Sequence, residues 1–317
     1  MKKLALIAIL SLVVGSTFTC PSQADIVANF TDGNGTGSVD QYTGTTGSGW
    51  NTVWTPGTTN ATQTPTVVNT TPLNGGGNYL NVGATGSAAT AVATVRRQYA
   101  DFGDVDVDAT PYILSFDYRA NTALGDPSAT NSASNRYNII GSTSATTGTL
   151  SGNTWIAGVY AGTNGGTTEK PIGFGATNVG RWVFLDNQTA ADSTTPAMNA
   201  MNFWDSEISL ATGTVYHFSI YIDPANREYK PTISDGTTTK TSPTLLGFRN
   251  ETATSSTFLQ FHAFMTTASA SLGYSVDNIR ISIVPEPAAV LFGCVVCGLV
   301  GIKLGGRRLI AMRFVRR

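Results

Sequence analysis

Between residues 25 and 283 few side chains are able to do chemistry. Glycoside hydrolysis needs two carboxyl groups facing each other across a sugar bond, about 5 Å or roughly 6.5–9.5 Å apart. Glu169, Glu207, Glu228 and Glu251 are the only glutamates in this span, and they are scattered. Asp205 and Glu207 would share a face if Phe203–Ile208 is extended, with solvent beside a turn as their expected setting. No Gly-x-Ser-x-Gly elbow offers a serine nucleophile. His217 and His262 are the only histidines, too few and too far apart in sequence for a His-based metal cluster. Both sit between apolar neighbours in strand-like segments and read as outward-facing or satisfied sheet residues. Asp32-Gly33-Asn34-Gly35-Thr36-Gly37 begins like a calcium loop, but Thr43 stands where a bidentate Glu is needed. Trp50 and Trp54 lie in a Gly/Thr-rich stretch and could present aromatic faces to a sugar, whereas Trp155, Trp182 and Trp204 read as core. Thr62-Gln63-Thr64-Pro65-Thr66 has the spacing of an ice-binding row once, and Pro65 interrupts it. These residues point to a non-enzymatic chain, with glycan binding through Trp50 and Trp54 as the alternative and glycoside hydrolysis behind it.

The elements that would position them are strands. Of 317 residues 41% are hydrophobic and only 12% charged, which excludes a charge-driven disordered chain. Forty-seven threonines favour strands, and 34 glycines supply turns. The formal net charge of −1 hides an uneven distribution. Residues 1–24 carry two lysines and no acid, and residues 284–317 carry six bases and one acid, leaving 11 bases against 19 acids between them. A body of net −8 is a poor partner for nucleic-acid phosphates, so nucleic-acid binding is excluded as an expectation.

The two ends read as targeting segments. Met1-Lys2-Lys3, the apolar run Leu4–Val14 and small Ser22 and Ala24 form a signal-peptide pattern, with cleavage expected after Ala24. Thr17-Phe18-Thr19 ahead of Cys20 is a poor lipobox. At the other end Val284-Pro285-Glu286-Pro287 breaks the chain, and an apolar run from Ala288 to Ile302 follows. At about 1.5 Å per residue that run spans ~22 Å, short of a core of roughly 30 Å, and Lys303 and Leu304 can extend it. A single transmembrane helix over 288–304 is therefore expected. Arg307, Arg308, Arg313, Arg316 and Arg317 would hold the tail in the cytoplasm and leave the body outside. Cys294 and Cys297 fall inside this run and read as small apolar residues, so residues 25–283 contain no cysteine.

The order Pro-Glu-Pro, short apolar helix and arginine cluster over residues 284–317 resembles the PEP-CTERM sorting domain. That resemblance implies Pro285, Glu286 and Pro287 as a recognition signal, Arg307 and Arg308 as a basic stop, and an exosortase-like membrane protease as partner. It further implies transient anchoring in the inner membrane, then release or display at the cell surface or in the extracellular matrix. The tail after the helix is longer than the usual compact arginine stop.

Strand signatures run through the body: Asp25–Phe30, Asn78–Val82, Ala91–Tyr99, Tyr112–Arg119, Arg136–Ile140, Thr154–Tyr160, Lys170–Phe174, Arg181–Leu185, Val215–Asp223, Glu228–Ser234, Thr257–Met265 and Tyr274–Ile283. Residues 31–64 read as loop-rich and Thr122–Asn135 as another loop. The expected fold is all-β, a two-sheet antiparallel jelly-roll sandwich over residues 25–283, between an N-terminal signal helix and the C-terminal transmembrane helix. Tyr216–Tyr229 and Tyr274–Ile281 are similar to a hairpin and closing strand of concanavalin A-like lectin/glucanase and laminin G-like domains. The paired Glu-x-Asp-x-x-Glu strand of the glucanases is missing here. The likeness to jelly-roll modules implies a structural calcium at Asp277, with Asp25 or Asp32 as its partner, and extracellular polysaccharide as a ligand class. Asp277 and Asn278 satisfying backbone groups at the strand start is the plainer alternative.

Overall fold

Period-two alternation shapes most of this chain. The computed structural model describes residues 25–30, 37–38, 49–74, 76–88, 90–101, 106–125, 135–145, 153–163, 170–187, 200–250, 253 and 255–284. In chain order the strands are β1 (Ile26–Ala28), β2 (Gly37–Ser38), β3 (Thr55–Thr59), β4 (Ala61–Val68), β5 (Tyr79–Gly86), β6 (Ala91–Gln98), β7 (Tyr112–Ala120), β8 (Arg136–Ser142), β9 (Asn153–Tyr160), β10 (Arg181–Asp186), β11 (Asn202–Ser209), β12 (Val215–Asp223), β13 (Glu228–Ser234), β14 (Thr239–Thr241), β15 (Leu246–Gly247), β16 (Phe258–Met265) and β17 (Ser271–Ile283). The only helical turn among the described residues is Ala176–Asn178, and none of their helices is long and apolar enough to cross a membrane. The signal segment with Ala24, the sorting residues Pro285, Glu286 and Pro287, the 288–304 run, and Arg307 and Arg308 lie outside the described residues.

The first sheet runs β14-β13-β12-β7-β17-β5-β4-β2, with β1 also on β17 and β15 also on β13. The second runs β11-β10-β9-β8-β16-β6-β3. All paired registers are antiparallel. In β12 the alternation buries Tyr216, Phe218, Ile220 and Ile222 and turns His217, Ser219 and Tyr221 outward. Phe218 pairs in register with Phe116 of β7, and the two rings stack at 4.9 Å. From the second sheet Trp182 meets Phe218 edge-on at 5.0 Å and Tyr118 at 5.4 Å, and Phe261 meets Phe116 at 5.5 Å. These rings join the two sheets face to face. Each such pair adds about 0.5–1.5 kcal/mol beyond its buried area.

The sheets differ on their outer faces. In the first, β12 and β13 keep one solvated face. In the second, β8 and β9 are buried on both faces. There Ile140, Ile156, Tyr160, Val183, Leu185 and Met201 form an apolar cluster, with Phe174 and Phe203 packed on it.

Two sequence expectations are corrected. Lys170–Phe174 is a turn, not a strand: Gly173 takes φ 77° and Ile172 is 53% exposed. Residues 55–64, placed in the loop-rich stretch, form β3 and the start of β4, joined at Asn60 in a left-handed turn (φ 50°). Threonine's β-branch outweighed the glycine and proline content there.

Candidate functional site

Alternation and register together build a polar face on the first sheet. Thr62, Thr64 and Thr66 share one side of β4, Asn81, Gly83 and Thr85 that of β5, and Ser271, Gly273 and Ser275 that of β17. The registers align them in three rows across the strands: Thr62–Thr85–Ser271, Thr64–Gly83–Gly273 and Thr66–Asn81–Ser275. Over the middle row lies a groove of about 340 Å³, which Asn121 and Thr122 also line. Its floor is the glycine pair. A Cβ added to Gly83 would stand 3.3 Å from Thr64 Oγ1, and one on Gly273 would stand 3.3 Å from the Val82 carbonyl oxygen.

The two banks carry hydroxyls and amides. On one, Thr85 Oγ1 and Ser271 Oγ are 3.0 Å apart. On the other, Asn121 Nδ2 donates to Asn81 Oδ1 and to Ser275 Oγ, each at 2.9 Å. The buried Arg119 guanidinium, on the same sheet face, fixes that bank from the side, donating to Asn121 Oδ1, to the Thr71 carbonyl and to Ser275 Oγ. Such a network holds its members in one geometry before a ligand arrives.

Farther along β7 and β17 two acids meet. Asp117 is 3% exposed and Asp277 1%. Asp117 Oδ1 lies 2.9 Å from His217 Nδ1, and its Oδ2 accepts from Asn278 Nδ2 at 2.8 Å. Asn278, left-handed at φ 53°, donates from the same nitrogen to the Asn74 carbonyl. Asp277 Oδ1 is buried without a partner, and burial, reinforced by the charge of Asp117, pushes its carboxyl up to about 7. The hydrogen bond from His217 to Asp117 raises the imidazole above its ordinary range.

Asp25 stands apart from this pair. Ile26 pairs with Ile281, which puts Asp25 level with Ser282, where it bonds Arg280. Five residues of strand, about 17 Å, then separate it from Asp277, so Asp25 and Asp277 cannot share one calcium. Both oxygens of Asp117 already have partners. No group of three or more metal-ligating side chains occurs among the described residues. Asp32 lies outside them.

Trp50 and Trp54 come together, with centroids 5.9 Å apart, but not as an open platform. Trp54 is fully buried against Phe30 and Phe261. Trp50 is half-buried, donates Nε1–H to the Val27 carbonyl at 2.9 Å, and carries the Arg97 guanidinium 4.6 Å from its ring centre. The apolar partners arrive from distant strands and draw the indoles inward. His262 is buried between Thr94 Oγ1 and Gln260 Oε1, both at 3.2 Å, and burial first, then Arg136 and Arg96, lowers it to about 3. It stays neutral and structural. Asp205 bonds Asn178 and Arg181, while a left-handed bend (φ 61°) turns exposed Glu207 to Lys240 at 2.6 Å. Those two acids do not face each other as a pair.

The Thr/Gly/Asn rows and the Asp117–Asp277 pair are missing from the sequence reading. Each strand's i, i+2, i+4 pattern is visible in sequence, but the pairing that aligns them joins segments up to about 190 residues apart.

No family model and no curated protein sequence matches the chain. Among solved structures it is similar to the catalytic domain of a glycoside hydrolase family 131 protein from Coprinopsis cinerea (11% identity, 66% of this chain and 71% of that one, TM-score 0.39). It is similar also to a legume lectin-like domain from Entamoeba histolytica (8%, 71% and 91%, 0.39) and to lectin II from Ulex europaeus (12%, 72% and 97%, 0.39).

Proposed function

We propose that this chain is an exported, non-enzymatic protein of the cell envelope or extracellular matrix. Residues 1–24 direct export, and an exosortase-like membrane protease reads Pro285, Glu286 and Pro287. The observation that carries this reading is the order of parts in residues 284–317: a rigid Pro-Glu-Pro, a short apolar run that Lys303 and Leu304 extend, and a basic stop. The helix and arginines hold the extended signal just outside the membrane, and the jelly-roll-type body is the cargo. Expression beside the protease, with and without Pro285→Ala and Glu286→Ala, tests it. Loss of tail processing in both variants is expected, and unchanged processing would contradict it.

A second reading concerns what the cargo does: the body binds glycan. It is favoured by the groove over Gly83 and Gly273, whose hydroxyl- and amide-bearing banks match the donors and acceptors of a sugar. Screening the full chain in detergent against a polysaccharide panel tests it. Retention on at least one polysaccharide is expected, and retention on none would contradict it.

A further inference from the structure

We infer that the groove takes a neutral, unbranched polysaccharide chain lying across the strands, with Gly83 and Gly273 as its floor; this rests on the glycan-binding reading of the same site. The first support is the glycine pair itself. Glycine in a strand interior costs roughly 0.5–1 kcal/mol relative to alanine, and it often marks close approach of a ligand. A backbone needing φ > 0 would justify that cost, yet neither Gly83 nor Gly273 is left-handed. They face each other in register, so two side chains are missing from one spot of the outer sheet face, where Gly83 is half-buried and Gly273 is buried beside Asn121 and Thr122.

Shape is the second support. Asn81 and Thr85 on β5 are four residues apart, so the banks stand about 13 Å apart between backbones, and their side chains narrow the bed to the width of a single sugar chain. The bed crosses β4, β5 and β17 and reaches Asn121 just beyond β7, three strand spacings or about 14 Å, enough for a few consecutive rings.

Charge is the third. The lining holds no Asp, Glu, Lys or Arg. Arg119, buried beside one bank, is already bonded to Thr71, Asn121 and Ser275. An acidic glycan would lose water without gaining a cation, against a body of net −8. A neutral one meets hydroxyls and amides that both donate and accept.

The test is depletion of the full chain, in detergent, by insoluble neutral glucans (cellulose, curdlan) and by cross-linked polygalacturonate. Wild type should be retained on a neutral glucan and not on the acidic gel. Gly83→Val should reduce neutral retention at least tenfold, with an unchanged circular dichroism spectrum. The double variant Thr85→Ala, Ser271→Ala strips the exposed bank and should reduce it several-fold; it decides the matter if the valine variant does not fold. Preference for the acidic gel, or neutral retention that survives these variants, would overturn the inference and leave glycan binding standing. Retention on neither would overturn the inference, and retention on no polysaccharide of the wider panel would overturn both.

Discussion

Asp277 and Asp117 lie on neighbouring strands, both almost fully buried, and only Asp117 has both carboxylate oxygens engaged. Like charges so placed oppose folding unless one is neutralised. In the unfolded chain the Asp277 carboxyl ionises near 3.8; in the fold, burial and then Asp117 hold its proton to about 7. Folding therefore favours the protonated group. The stability it contributes is full below the ordinary value and is lost as pH rises through 7. Urea midpoints should fall between about pH 4 and pH 7. Asp277→Asn should flatten that fall and leave the chain more stable at about pH 8, by on the order of a few kcal/mol. A wild-type midpoint that does not change over this range would contradict the assignment.

Trp54 and Trp50 should behave as packing residues. Trp54→Ala removes a fully buried indole between Phe30 and Phe261 and should cost about 3–5 kcal/mol in denaturant unfolding. Trp50→Ala should cost less, because the ring is only half-buried. Neither should change retention on a neutral glucan under conditions where the variant is folded. Loss of retention with unchanged stability would return the sugar site to this pair.

Gly141 is needed for a different reason from Gly83. A Cβ there would collide with the Trp155 indole nitrogen and the Ser256 hydroxyl, both in the interior. Gly141→Ala should lower stability by about 1–3 kcal/mol, read from the denaturant midpoint, as overpacking does. Gly83→Ala meets only a rotatable threonine hydroxyl and should stay within ~1 kcal/mol of wild type. Equal losses at the two positions would remove the distinction between a packed and an open glycine.

The hairpin Val215–Ser234 was legible residue by residue, because alternation is strict and Asp223 closes the turn by accepting from the Asn226 backbone N–H. Ile140 and Val183 lie in segments that were legible as strands, but which of their side chains face the other sheet was not. On a sheet covered on both faces successive residues are all buried, and period two disappears. The first strand residues of the groove were hidden otherwise: Thr62 and Thr64 fell in the loop-rich stretch because glycine, proline and threonine surround them. The candidate site was legible least, since Gly83 and Gly273 acquire meaning only when β5 and β17 pair. Trp50 and Trp54 read as exposed because their local sequence is polar, while the side chains that cover them, Tyr99 and Arg97 on Trp50 and Phe30 and Phe261 on Trp54, are remote.

The most direct test of export and sorting is the intact mass of the protein recovered from the envelope and medium of cells that carry the protease. The expected species begins at Asp25 and has lost the apolar run and arginines beyond Pro287, whereas Glu286→Ala retains them. A mature species of full mass, with both ends kept and confined to the cytosol, would contradict the proposal.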